Sequence, residues 1–349
     1  MNAAYRARQV APEDVEAGVL DLWKQTRSKP FELENTFRWY YRSDTERANR
    51  CFVLVHGGDA DLVGATGVGL RHFRVESGEV AGALLGDFFV HKAHRSLFPA
   101  LSLQRTAADA ARQSAAFVYG FPNQKAVPVF RRLGFSELGT VCRFVRVLDY
   151  APYLDRYLKR PALAHALARG LNTLAPLRRP SSLVPSRRYA SEWLERFDER
   201  FDTLERASLL GVPVRGQRTA AFLNWRFSAK PGFKGRVFTC FERGSRALCA
   251  YAVVELEPEA AYVRDLFGAT WADIEYLLVQ LERALRAQHA RSISFNFLGA
   301  QRDLAPILTR LGYRSRASSR TVILSVAPET TAALREVARW YLTDADEDQ

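Results

Sequence analysis

The 349-residue chain repeats itself, and that repeat limits its fold more than any other feature. Residues 116–125, running on to Arg132-Leu133-Gly134-Phe135, align with residues 294–303, running on to Arg310-Leu311-Gly312-Tyr313. Tyr119 falls on Phe297 and Asn123 on Gln301. With no gap between the blocks, Gly86-Asp87-Phe88-Phe89 falls on Arg264-Asp265-Leu266-Phe267. Further upstream the register shifts, and residues 39–52 fall on residues 225–238. Three blocks in one order imply a single supersecondary unit used twice. The length suits two domains of ordinary size.

Each copy shows the same order of predicted elements. A helical stretch closes on an aromatic block, residues 37–41 or 222–227. A strand follows (51–55; 237–241), then a turn, Gly57-Gly58-Asp59 or Arg243-Gly244-Ser245, and a second strand (63–70; 248–254). The third strand (80–90; 261–267) carries the aspartate and leads into a helix (96–113; 273–288) with apolar residues at helical spacing. A fourth strand (116–121; 293–298) precedes a helix that starts near Asn123 or Gln301 and ends on Gly134 or Gly312 as C-cap. A last strand (141–148; 321–326) is expected to close its own unit. The fold class is therefore α/β: two tandem units, each a mixed, mostly antiparallel sheet flanked by helices. The expected division is residues 1–150, a basic helical linker 151–189, residues 190–328, and a C-terminal helix with acidic tail, 329–349. The tail, 344–349, reads as disordered.

The first copy contains Leu85-Gly86-Asp87-Phe88-Phe89-Val90-His91-Lys92-Ala93-His94-Arg95-Ser96-Leu97-Phe98-Pro99-Ala100, followed by Tyr119-Gly120-Phe121-Pro122-Asn123. On these residues and the element order, the chain resembles the GNAT superfamily of N-acyltransferases over residues 10–148, and more weakly over 190–327. The resemblance implies an acyl-CoA co-substrate, acetyl-CoA or longer, with no metal. It places the acyl-CoA site on Phe89, Val90, Arg95, Ser96, Leu97, Phe98, Pro99, Ala100, Leu101, Asn123 and Phe130.

The chemistry of that turn can also be read from the residues. A helix N-terminus offers free N–H groups and a partial positive charge, so it attracts phosphate. Arg95 precedes such a start, and Pro99 suits a first helical turn, where its missing N–H costs nothing. The same residues also describe an ordinary capped helix. Two positions depart from the family pattern. Phe98 stands where the family places the first glycine of its phosphate turn, and Ala100 takes the second. Phe130 stands where family members often carry an acidic tyrosine. A thiolate, with a pKa of about 8.5, can leave without a strong acid.

Asp87 and Tyr119 are the catalytic candidates. A carboxylate can accept the proton that an amine must lose to attack a thioester. Asp265 holds the same place in copy two, so an aspartate here also reads as part of the sheet. Tyr119 reads as acid, substrate contact or core, since copy two has Phe297 there. Asn123 reads as a helix cap, and in the family this position also touches the pantetheine arm. Copy two has Gly268-Ala-Thr-Trp-Ala-Asp273 in place of the arginine-led turn, and reads as a structural partner shaping the substrate cleft.

Composition narrows the class further. Hydrophobic residues are 48% and charged residues 25%, as in a globular protein. No apolar run of about 18 residues exists, and the start carries no signal pattern, so a soluble, cytoplasmic protein is expected. Cys51, Cys142, Cys240 and Cys249 read as buried free thiols, and the six histidines form no metal pattern. The net charge is +12, and the 151–190 stretch holds eight basic residues against Asp155 alone. Residues 152–177 read as a linker helix across both copies, or as a basic amphipathic helix touching an anionic membrane. Three functions fit: acyl-CoA-dependent acyl transfer to a small-molecule amine, aminoacyl transfer from tRNA, and a non-catalytic binding module. Nucleic acid is otherwise not expected as a partner, since no RNA-binding motif is present.

Overall fold

The structure is a computed structural model. It describes residues 5–25, 30–42, 49–57, 61–152, 154, 158, 167, 170, 188–258, 260–326 and 332–347. Most of the linker helix expected over 152–177 lies outside the described residues. Among the described residues, no helix is long and apolar enough to cross a membrane.

The first unit runs β1 (Tyr5–Val10), α1 (Pro12–Lys24), α2 (Pro30–Arg42), β2 (Arg50–His56), β3 (Asp61–Val75), β4 (Gly78–Val90), α3 (Leu97–Arg112), β5 (Phe117–Gly120), α4 (Val127–Arg132), β6 (Ser136–Thr140) and β7 (Cys142–Val147). The second runs β8 (Tyr189–Leu194), α5 (Glu199–Ala207), β9 (Val214–Gly216), α6 (Ala220–Leu223), β10 (Arg236–Glu242), β11 (Leu248–Leu256), β12 (Ala261–Gly268), α7 (Trp271–Ala287), β13 (Ser292–Gly299), α8 (Gln301–Arg310), β14 (Arg314–Arg316), β15 (Thr321–Val326) and β16 (Trp340–Thr343).

In the first unit β1 to β4 pair antiparallel in chain order, and β5 joins β4 in parallel. The second unit repeats this plan: β8, β10, β11 and β12 are antiparallel neighbours, and β13 joins β12 in parallel. Small residues set α3 close to its sheet, with Ala107, Ala108 and Ala111 fully buried beside Leu103. The opposite face is covered by α1 and α2 through Val19, Leu22, Trp23 and Phe37. Both predicted helix C-caps form. Gly134 and Gly312 sit at φ 81° and 83°, and the next residue closes the turn, Phe135 N–H to Phe130 C=O and Tyr313 N–H to Leu308 C=O.

The closing strands correct the expectation that each closes its own unit. β7 does not close the first sheet; it lies antiparallel on β13, from Ser292↔Val147 to Phe297↔Cys142. In return β15 lies between β5 and β6. Only Val141 separates β6 from β7, so the chain passes from one sheet straight into the other. Phe144 stacks on Phe297 across the exchanged pair, with ring centroids 5.7 Å apart. Alternation defines a strand and its faces but does not name its neighbour. The sequence pattern was therefore equally compatible with closure at home and with exchange.

The acidic C-terminus is a second correction. Residues 340–346 are ordered, as β16 and a 3₁₀ turn, and the described part of 329–349 forms short 3₁₀ turns and a strand in place of the expected helix. Asp346 is buried and accepts from Arg218 Nη1 at 3.0 Å, Arg218 Nη2 at 2.5 Å and Arg71 Nη2 at 3.2 Å. Arg226 donates to the carbonyls of Asp344, Ala345 and Glu347. An acidic run is solvated only if nothing compensates it, and here arginines from both units do so. β16 pairs in parallel with β9, which pairs with β3, so the chain end bridges the two half-sheets.

The four cysteines are free thiols. Cys51 and Cys240 are buried, and burial pushes both up to about 12. Cys142 and Cys249 are half-buried, less enclosed than expected.

Candidate active site

The site begins where two parallel strands part. The β4–β5 ladder runs from Gly82↔Phe117 to Leu85↔Gly120 and stops. β5 ends there, while β4 continues to Val90. Just past the end of the ladder β4 bulges: Ala65 of β3 faces Phe89, yet Gly67 faces Gly86, so Asp87 and Phe88 together oppose Thr66. Asp87 takes φ 53°, a left-handed conformation that aspartate tolerates better than most residues. Thr66 Oγ1 donates to the Gly86 carbonyl at 2.9 Å and accepts from the buried Gln104 amide at 2.8 Å, which pins the bulge from α3. The extra residue resets the alternation. Val90 joins Leu85 in the core under α3, with Phe88 packed against it, while Phe89 joins the core under α1 and α2.

The parting strands open a cleft of about 630 Å³. Phe88, Phe89 and Val90 line one wall, and Asn123, Lys125, Ala126, Pro128 and Val129 the other. Arg95, Ser96, Leu97 and Ala100 form its end at the start of α3. Ser96 is the extended N-cap residue of α3, without a side-chain capping bond, so the first N–H groups of the helix have no intrahelical acceptor. Arg95 is held there by its Nε bond to the Val90 carbonyl at 2.9 Å and by the face of Phe89. Asn123 does not cap α4, whose N-cap residue is Ala126 without a side-chain capping bond; its Oδ1 instead accepts from the N–H groups of Lys125 and Ala126, both at 3.1 Å, in the turn that leads into the helix.

Phe98, the bulky departure from the glycine pattern, does not line the cleft. It is 47% exposed, and its ring packs toward Tyr5 of β1 at 6.3 Å. Pro99 is buried in the first turn, and Leu101 is half-buried outside the cleft. Phe130 also lies behind the wall, buried in the core against Phe88 and Phe135.

The two catalytic candidates part company. Asp87 is buried and accepts a hydrogen bond from Tyr41 Oη at 2.8 Å. Burial first, then the neighbouring Asp87, holds the Tyr41 phenol well above its ordinary value, so it stays a donor. Tyr119 has no exposed surface, and its hydroxyl donates to the Asp346 carbonyl at 3.0 Å. It belongs to the core between the units, with Phe73, Phe117 and Trp340. Sequence reasoning missed Tyr41, because only the tertiary fold brings the end of α2 over the β4 bulge.

The second unit has the matching splay, and the chain itself fills it. The β12–β13 ladder stops at Val263↔Phe295. From Phe297 to Gly299, β13 pairs with β16. Tyr341 Oη donates to the Leu266 carbonyl at 2.5 Å, and its ring meets Trp271, the first residue of α7, at 6.1 Å. Leu266 is the repeat partner of Phe88. Asp265 is saturated: it accepts from Tyr251 Oη at 2.7 Å, Thr343 Oγ1 at 2.6 Å and Arg218 Nη2 at 3.2 Å.

A tandem sheet of this order, with one splay open before a helix start, is the GNAT fold used twice. The chain matches a tandem GNAT protein from the clavulanic acid biosynthesis pathway over 94% of its own length and 100% of the other's, with a TM-score of 0.51 and 15% identity. It matches a GCN5-related N-acetyltransferase from Kribbella flavida over 93% of this chain and 72% of that one (TM-score 0.59, 14% identity). A conserved protein of unknown function from Enterococcus faecalis matches with a TM-score of 0.65 at 10% identity, over 93% and 73% of the two chains. At these identities the likeness establishes the fold. No protein-family model and no curated protein matches the chain.

Proposed function

We propose that the chain is an acyl-CoA-dependent N-acyltransferase that works through the first unit and acylates the amine of a small molecule. The observation that carries this reading is the contrast between the splays: one opens into a 630 Å³ cleft ending at a helix start, and the other holds β16. The open cleft suits an acyl-CoA. The free N–H groups at Leu97 and Phe98 and the Arg95 guanidinium would hold the pyrophosphate. Phe98 leaves this turn accessible because its side chain leans onto Tyr5. Phe88, Val90, Ala126 and Val129 give the apolar walls suited to the pantetheine arm.

Bound acyl-CoA supplies an activated acyl group. The protein's own task is then to receive a proton. Asp87 is the group for it, set by the bulge on the side of the sheet opposite α3. Tyr41 remains protonated and orients the carboxylate through its hydrogen bond. The leaving thiolate needs no acid from Phe130, given a thiol pKa of about 8.5.

Calorimetric titration with acetyl-CoA tests the reading. One site per chain is expected, and Ala100→Trp, which places an indole in the cleft, should abolish it. Two sites per chain, no binding, or binding indifferent to Ala100→Trp would refute it.

A further inference from the structure

A second cavity, of about 430 Å³, lies where the units and the chain end meet. It is polar, and within the size range of small-molecule sites. Its lining comes from Glu32 of α2, Arg226 and Lys230 in and after the helical turn that follows α6, Arg264 of β12, Arg320 just before β15, and Glu347 near the chain end. Glu255 and Asp344 complete the ring of charges.

The ion pairs in this cavity are unevenly shared. Arg264 grips Glu255 at 2.7 Å and reaches Asp344 at 3.2 Å. Arg320 pairs with Asp344 at 3.5 Å and with Glu347. Two arginines thus engage three carboxylates. Among the described residues no carboxylate pairs with Lys230, whose ammonium sits 5.9 Å over the Trp39 ring. Trp39, which lies behind the lining, in turn stacks on Trp225 at 4.8 Å, and this fixes the ring against which the ammonium rests.

We propose that this cavity binds a small molecule bearing a single carboxylate, with Lys230 as its anchor. The carboxylate would take the place beside Lys230 that no side chain among the described residues fills. A dianion such as phosphate fits less well, because Glu255, Asp344 and Glu347 already bring negative charge to the same walls. Burial, then Arg226 and Arg264, push Lys230 down to about 7, opposed by Glu255 and Asp344. An arriving carboxylate favours the charged ammonium, so binding takes up a proton at and above neutral pH. The site stands on this cavity alone, independently of the acyl-CoA cleft.

The test uses the full chain and two readouts. In the first, limited trinitrophenylation with trinitrobenzenesulfonate at pH 7 is followed by peptide mass spectrometry. Lys230 should react faster than surface lysines, because more of it is neutral, and acetate or propionate should protect it while their methyl esters do not. In the second, tryptophan fluorescence is titrated with the same four compounds. Saturable change is expected with the carboxylates only, about tenfold weaker in Lys230→Met and restored in Lys230→Arg. Affinity should fall as pH rises above about 7. Ordinary Lys230 reactivity, equal protection by the esters, or equal affinity in Lys230→Met would overturn the proposal.

Discussion

Replacing Asp346 by Asn tests whether the acidic chain end is a structural keystone. The carboxylate has no exposed surface and meets Arg218, equally buried, through both oxygens. It also accepts from Arg71 and from the Thr343 N–H at 3.0 Å. Asn keeps the shape and one acceptor but turns an amide donor toward a guanidinium. Arg218 is left with Asp265 as its one anionic partner among those bonds. Breaking a buried pair by removing one partner costs about 3–5 kcal/mol. For a chain of 349 residues that corresponds to a melting temperature lower by roughly 4–7 °C. Burial acts to raise the Asp346 carboxyl, but Arg218 and Arg71 together hold it below the usual carboxylate range. Because the folded value is depressed, the stabilisation is present above the unfolded value of about 3.9 and is lost as pH falls through the folded one. Urea unfolding followed by circular dichroism should therefore show the full gap between wild type and variant at pH 7, narrowing only in strong acid. A difference under about 1 kcal/mol at pH 7, or one that grows on acidification, would refute the buried-pair account.

The repeat-related aspartates should respond differently to substitution. Asp87→Asn is expected to lower turnover about 10²–10⁴-fold with acetyl-CoA affinity retained, whereas Asp265→Asn should chiefly lower the melting temperature, since Asp265 is locked to Arg218, Tyr251 and Thr343; steady-state rates and thermal melts of both variants decide this. Tyr41→Phe leaves a buried carboxylate short of one donor, and should cost about 1–3 kcal/mol in urea unfolding together with activity. Gly299→Ala should unseat β16, because Gly299 holds φ 75° and a Cβ there would land on the Trp340 carbonyl; limited proteolysis should then release the C-terminus, and resistance equal to wild type would count against the pairing.

Much of the fold was legible in order but not in partnership. The aspartate strands, the α3 start at Arg95 and Ser96, and the paired Gly134 and Gly312 caps all follow from local rules, because they depend on neighbours within a few residues. The β4 bulge was not legible. It moves Asp87 to one side of the sheet and Phe88 to the other, and it is held by Thr66 and Gln104, distant in sequence. Phe98 stands at a position the family fills with glycine, and only the position of Tyr5 on β1 shows that its ring turns aside.

The sequence by itself determined that one α/β unit occurs twice and that the arginine-led helix start belongs to the first copy, since repetition and helix-terminus chemistry are properties of short stretches. The tertiary structure alone decided that β7 and β15 change places, that the acidic end is buried among arginines, and that β16 occupies the second splay while the first stays open. Strand partners and charge compensation are settled by which surfaces meet in space, and residues such as Arg71 and Asp346, 275 positions apart, carry no local mark of each other.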